Sequence, residues 1–365
     1  MTLASITVVG AGGNIASHLV PHLGRMAGVG RITLIDLQRY EPKNLQSQDI
    51  TPGDVGQPKA EVQARRLRFI NPALDVRAIV DDVANVPLGF LRGDAILAGL
   101  DTRAARRTVN FSAWRLGVPY IDGGVNGEEL LARVNVYLPT ANEPCLECSW
   151  DDTDYASMDQ TYPCSGEEAT RPTNAPSSLG ALAAALQALE CQKLLAGDRE
   201  LLAIGRQVTI SALAHRHLVT RFVRNPACRF DHETLRIQRL ECDAEDLTVG
   251  DAFDLGHESA CTQEPLRLHV PHQLFTQSLV CPACGHRRGI SLHLLRRLRA
   301  ADRACSACGE QMRASGADLI ERLPEADLAP SVRDASLGSV GIQGGDVITL
   351  TGGSWDAHFE LGGIG

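Results

Sequence analysis

The stretch from Ile6 to Asp36, ITVVGAGGNIASHLVPHLGRMAGVGRITLID, constrains the fold more than any other. Ile6–Val9 has the length and composition of a buried strand. Gly10, Gly12 and Gly13 follow directly, then a helical pattern, then a second apolar strand, Ile32–Ile35, ending in Asp36. Glycines here permit a tight turn and bring bare amides towards a phosphate at a helix N-terminus. A carboxylate at the end of the second strand can accept ribose hydroxyls. The spacing departs from G-x-G-x-x-G, because Ile15 stands where the third glycine would be and Ala16 follows it. The turn therefore predicts a nucleotide site without separating ATP from NAD; a tight turn without ligand is the alternative.

The alternation continues. Lys59–Phe69 reads as a helix, Val76–Val80 as a strand and Asp94–Leu100 as a strand closed by Asp101. Arg103–Leu116 is helical, Val118–Ile121 a strand and Arg133–Leu138 a strand with alternating character. This rhythm predicts a Rossmann-like α/β domain, mostly parallel with helices on both faces, whose ligands bind at the C-terminal strand ends. Asp36, Asp101 and the Gly123-Gly124 turn all fall at such ends. After Pro139 comes a polar loop, Thr140–Pro176, then a helix, Ser177–Ala196. Gln207–Ile210 and Leu218–Val223 form a hairpin, an antiparallel extension of the sheet.

Composition sets the outer limits. A chain of 365 residues with 44% hydrophobic and 22% charged content is long enough for two or three domains. No basic stretch precedes an apolar run at the N-terminus, and the most apolar helix carries Gln187, Glu190, Gln192 and Lys193. The expectation is a cytoplasmic protein without a membrane span. A net charge of −9 argues against nucleic acid as the main partner. Lysine occurs only at 43, 59 and 193, which draws attention to Lys59. All eleven cysteines lie after residue 144. Cys281-x-x-Cys284 and Cys305-x-x-Cys308 have zinc-ribbon spacing, and four thiolates would make that Zn²⁺ site structural. The arginines at 287, 288, 296, 297, 299 and 303 read more readily as a solvated face than as a nucleic-acid patch, since no aromatic residues interleave.

From about Thr7 to His232 the chain resembles the ThiF/MoeB superfamily, the adenylating core of the ubiquitin-activating enzymes. The segments that carry the likeness are VVGAGGNIASHL, LIDLQRYEPKNLQSQ, VGQPKAE, GLDTRAARRTVN, VPYIDGG, PCLEC and LQALECQKLLAG, in that order. The resemblance implies ATP-dependent adenylation of the C-terminal glycine of a small ubiquitin-like (β-grasp) protein. The chemistry needs ATP held so that a carboxylate attacks the α-phosphorus in line while pyrophosphate leaves, which is a matter of positioning and charge neutralisation. Asp36 would hold the ribose, the Gly10–Gly13 turn would lie against the nucleotide, and Asn44 and Lys59 would meet phosphate oxygens. Asp101 would bind Mg²⁺, and Arg106 would brace the cluster from the helix that Asp101 caps. Where the family reads N-L-x-R-Q this chain has Ser47; Arg39, Arg103 or an arginine from a second subunit would take over the missing charge.

The resemblance further implies a homodimer and a second zinc site, closed by Cys145 and Cys148 with Cys228 and His232. It offers Cys164, in the 140–176 loop, as a thiol that takes the acyl group before transfer to a conjugating enzyme. The domain expectation is an adenylation domain over 1–232, a zinc-ribbon module over 233–323 and a small β-rich tail over 324–365, whose closing strand resembles that of a β-grasp module. The preferred reading at this point is modifier activation for conjugation. The alternatives are sulfur-carrier activation for cofactor biosynthesis, a peptide- or tRNA-modifying adenylyltransferase, and a non-catalytic scaffold.

Overall fold

A computed structural model describes residues 3–159, 175–261, 264–326, 328–353 and 355–363. The chain divides into two units, Met1–Val83 with Leu91–Thr234, and Ala84–Phe90 with Leu235–Gly365.

The first unit is built on one eight-stranded sheet. Its strands are β1 (Ala4–Val9), β2 (Val29–Ile35), β3 (Asp75–Ile79), β4 (Ala95–Ala98), β5 (Tyr120–Asn126), β6 (Leu131–Tyr137), β7 (Arg206–Ser211) and β8 (Arg216–Arg221), in spatial order 3-2-1-4-5-6-7-8. β3 to β5 pair in parallel and β6 to β8 add an antiparallel extension. The order reverses between β1 and β4, so the crevice for a ligand opens beyond the carboxyl ends of those two strands. The glycine turn leaves β1 there, and Asp101 leaves β4 there.

The helices are α1 (Ala16–Gly24), α2 (Lys59–Ile70), α3 (Arg103–Leu116), α4 (Asp152–Asp159) and α5 (Ser177–Ala196). α1, α2 and α5 share one core with the sheet, centred on Ile6, Val8, Leu19, Leu23, Ile32 and Leu97. α3 contributes Trp114 to a separate cluster with Cys145, Cys148 and Phe230. Pro21 lies inside α1 and cannot donate to the carbonyl of Ser17; Arg66 of α2 bonds that oxygen instead, at 3.3 Å. α5 approaches the glycine turn closely because it has glycine at 180, where a Cβ would fall 1.7 Å from Asn14 Oδ1.

The second unit holds β9 (Ile237–Arg239), α6 (Val249–Ala260), β10 (Arg267–His269), β11 (Phe275–Val280), β12 (Arg287–Leu294), β13 (Leu319–Ile320), β14 (Leu323–Pro324), α7 (Pro330–Arg333), β15 (Val347–Gly352) and β16 (Trp355–Glu360). Its main sheet runs β14-β10-β15-β16-β9, and a small sheet, β12-β11-β13, carries Cys281 and Cys284 on its β11–β12 turn and Cys305 and Cys308 in the segment between β12 and β13. The expectation of a separate tail over 324–365 does not match this pairing. β15 pairs with β10, and β16 pairs in parallel with β9, so the tail completes a sheet begun upstream of the ribbon. One core, from Val249 and Phe253 to Ile348 and Phe359, spans both expected segments. No helix among the described residues is long and apolar enough to cross a membrane.

Candidate active site and metal centres

At the crevice, the glycine turn closes on itself. Gly10 and Ala11 donate to the Ile35 carbonyl at 2.9 and 3.2 Å, Gly13 donates to Gly10 O at 3.0 Å, and Gly12 donates to Asp36 Oδ2 at 2.9 Å. The expectation of bare amides offered by Gly10, Gly12 and Gly13 is therefore corrected: their protons are engaged within the turn. What the glycines provide is room. Gly10 has φ +73°, and a Cβ on Gly12 would lie 2.4 Å from Lys59 Cβ and 2.7 Å from the Tyr40 hydroxyl.

Asp36 is buried, and its two oxygens accept from Gly12 N and from Gln38 N at 2.9 Å. Burial pushes its carboxyl above the ordinary aspartate value, opposed by the Lys59 charge and the two amides. Lys59 is buried at the first residue of α2, and its Nζ donates to Gln38 Oε1 at 2.8 Å. Burial lowers its ammonium, while Asp36, Asp101 and Glu41 pull the other way. These groups thus lie within electrostatic reach of one another: a buried acid after β2, a buried cation at the start of α2 and an exposed acid after β4.

Thr102, not Asp101, caps α3: its Oγ1 accepts from Ala105 N at 3.2 Å. Asp101 stands exposed one residue ahead of the cap. Arg106 donates to the carbonyl of Leu100, just past β4, and to that of Gly123, in the middle of β5, and pairs with Asp122. Asp122 is fully buried and also accepts from the Tyr120 hydroxyl and Arg133, both at 2.8 Å. Asp122, Arg133 and Gln38 were not picked out by sequence reasoning. Their only signal was a polar residue within or beside an apolar strand. Gln187 of α5 is similar, donating to Ala98 O and Ile121 O at 2.9 and 3.0 Å.

Asn44 is buried, but its Oδ1 accepts from Glu41 N at 2.8 Å and so caps the short helical turn Pro42–Gln46. Ser47 ends that turn, with its amide on Asn44 O at 3.1 Å. Of the arginines offered in place of a residue at 47, Arg39 bonds Gly56 O at 3.0 Å and Arg103 pairs with Asp154 at 2.7 Å. Cys164 lies outside the described residues.

Both cysteine clusters assemble. Ligand atoms of Cys145, Cys148, Cys228 and His232 all lie within 4.8 Å of one another, as do those of Cys281, Cys284, Cys305 and Cys308. Tetrahedral zinc with bonds of ~2.0–2.3 Å sets its ligands roughly 3.5–3.8 Å apart. The observed separations are 3.8 Å for Cys145 to Cys148 and to Cys228, and 3.2 Å for Cys148 to His232. In the ribbon they are 3.4 to 3.7 Å. Donor chemistry and spacing both fit zinc. The hydrogen bond from Cys145 lowers the Cys148 thiol and raises that of Cys145, so the pair shares one proton.

The ThiF family model matches residues 2–230. The chain belongs to the ThiF family. Among curated relatives, the sulfur carrier protein adenylyltransferase of Thermus thermophilus is 32% identical over 62% of this chain and 81% of its own length. The molybdopterin-synthase adenylyltransferase of Escherichia coli is 30% identical over 55% of this chain and 77% of its own length. The catalytic subunit of the Saccharomyces cerevisiae NEDD8-activating enzyme E1 is 32% identical, but the chain spans only 51% of that protein. Among solved structures, E. coli MccB with ATP matches at a TM-score of 0.50 with 26% identity, over 62% of this chain and 66% of that one. This ThiF-family chain is accordingly an ATP-dependent adenylyltransferase of the E1-like superfamily.

Proposed function

We propose that this enzyme adenylates the C-terminal glycine of a small β-grasp sulfur-carrier protein. One observation carries the chemistry: Asp36, Lys59 and Asp101 form a single charge cluster at the point where the strand order reverses. In this reading Asp36 holds the ribose hydroxyls and Lys59 neutralises phosphate charge. Asp101, left outside the helix cap, holds Mg²⁺, which would offset charge on the leaving pyrophosphate. The carrier's carboxylate oxygen bonds to the α-phosphorus, the bond to pyrophosphate breaks, and an acyl adenylate results. Arg106 ties the segment after β4 to the middle of β5 beside this cluster. Asn44 would turn its amide to a phosphate while its carbonyl holds the turn.

Sulfur-carrier activation is preferred to conjugation because a relative named sulfur carrier protein adenylyltransferase is covered over 81% of its length and a molybdopterin-synthase adenylyltransferase over 77%, whereas the NEDD8-activating subunit is covered over 51%. Zinc in the Cys145 and Cys281 clusters serves as a structural clamp, since each has four protein ligands and no open position. The reading includes a homodimer as the working form. Exchange of labelled pyrophosphate into ATP tests it. Exchange should require Mg²⁺ and a carrier ending in glycine, and should vanish when that glycine is deleted. Exchange supported equally by a short peptide would move the assignment to peptide adenylation.

A further inference from the structure

α3 is shared by two sites. Asp101 lies just before its first turn, and its remaining turns rest on the Cys145 metal knuckle. Arg103 in the first turn pairs with Asp154 of α4 at 2.7 Å. In the second and third turns, Arg107 pairs with Glu147 at 3.3 Å, and buried Asn110 accepts from Leu146 N at 3.1 Å. In the last turn Trp114 packs edge-on against His232, and Arg115 grips Asp231 through two 2.6 Å bonds. Glu147 is the centre of this contact. It lies between the two cysteines of the knuckle with 1% of its side chain exposed, and also accepts from the Tyr155 hydroxyl at 3.0 Å. A residue between two ligands of a metal knuckle has no need to be a buried acid. Burying one is costly unless it is paired and hydrogen-bonded, and here the pairing is with the helix that leads from Asp101.

We propose that Glu147 is a positioning residue for adenylation: it pins α3 to the metal knuckle so that Asp101 keeps its place at the end of β4. The inference rests on the role given to Asp101 above. The test compares wild type, Asp101→Ala, Glu147→Leu, Glu147→Gln and Asp154→Asn. Each is assayed for zinc content, for kcat and KM(ATP) of carrier-dependent exchange, and for Mn²⁺ binding to the ATP-saturated protein by electron paramagnetic resonance. Small displacements of positioned groups cost roughly 10- to 100-fold, so Glu147→Leu should bind Mn²⁺ about tenfold more weakly and lose kcat similarly. Its zinc should stay in place and its KM(ATP) within about twofold. Glu147→Gln, which keeps one acceptor oxygen for Tyr155 and Arg107, should recover part of both.

Unchanged Mn²⁺ binding and kcat in Glu147→Leu overturn the proposal, as does loss of zinc in step with activity. Should Glu147→Leu fail to fold, Glu147→Gln and Asp154→Asn decide: wild-type Mn²⁺ binding in both overturns it. Persistence of exchange in Asp101→Ala would instead overturn the reading of the active site.

Discussion

The two cysteine clusters are alike in spacing and unlike in surroundings. In the first unit Cys145 and Cys148 are buried, with Trp114 and Phe230 packed around them and Glu147, Asn110 and Arg115 tying them to α3. In the second unit the cysteines alternate, Cys281 and Cys305 buried, Cys284 and Cys308 exposed, over a core of little more than Leu279, Leu298 and Met312. The first cluster decorates a domain that already has a large core; the second stands in for a core. A metal centre's contribution to stability thus depends on what surrounds it.

The largest effect should come from cutting the ribbon. Cys305→Ser is expected to remove one zinc and disorder the β11–β12 lobe, because small zinc modules fold only with their metal. Cys148→Ser should remove one zinc as well, yet leave the eight-stranded sheet folded, with its cost confined to the packing of α3. Zinc analysis with hydrogen exchange resolves the two. Equal, global loss of protection in both variants would erase the distinction. Within the first unit, Gly12→Ala should raise KM(ATP) and cost about 1–3 kcal/mol, since the methyl collides with Lys59 and Tyr40. Chemical denaturation and exchange kinetics measure both; an unperturbed variant would show that close approach is not what Gly12 provides.

The smallest effect is a difference in the sign of the response to acid. In the second unit burial raises the Glu325 carboxyl, but the Leu266 amide, His257 and Arg333 outweigh it and hold the group below its ordinary value of 4.5. Glu325 therefore adds stability above that value, lost as pH falls through the lower folded one. In the first unit burial raises Asp36 above its ordinary 3.8, so its contribution is full below that value and is lost as pH climbs through the raised one. Denaturation between about pH 3 and 6 should show the two units diverging, and Glu325→Gln should flatten the second unit's slope. Parallel slopes would refute the opposition.

Much of the first unit was legible because strand ends are marked by composition. Apolar runs stop at Asp36 and Asp101, and the βα rhythm places both at one edge. Ligand sets were legible from spacing in the ribbon; joining Cys145 to Cys228 and His232, more than 80 residues on, needed the family likeness. Other features were hidden because they depend on what tertiary contact does with a polar group. The glycine amides are consumed by Ile35, Asp36 and the Gly10 carbonyl. A hydroxyl at Thr102 outcompetes Asp101 for the helix cap. Of the ribbon-region arginines, Arg288 bonds the Ala304 and Asp302 carbonyls, Arg297 pairs with Asp346 and Arg299 pairs with Asp302, so at least three of the six are spoken for within the fold. Asp122 gave little away in sequence, because a buried acid in a strand is recognisable only once Arg106 and Arg133 are seen to meet it. The β-rich tail was misjudged as separate because its partners, β9 and β10, precede the ribbon that interrupts their sheet.

The central claim is that the acid exposed at the end of β4 governs metal-assisted adenylation while the fold stands independently of it. The most direct measurement is Mg²⁺-dependent ATP–pyrophosphate exchange by Asp101→Ala, alongside its thermal unfolding. Asp101→Ala should lose exchange by at least about 10²-fold, with two zincs retained and an unfolding midpoint within a few degrees of wild type. Exchange at the wild-type rate in a folded, zinc-replete Asp101→Ala protein would contradict that claim.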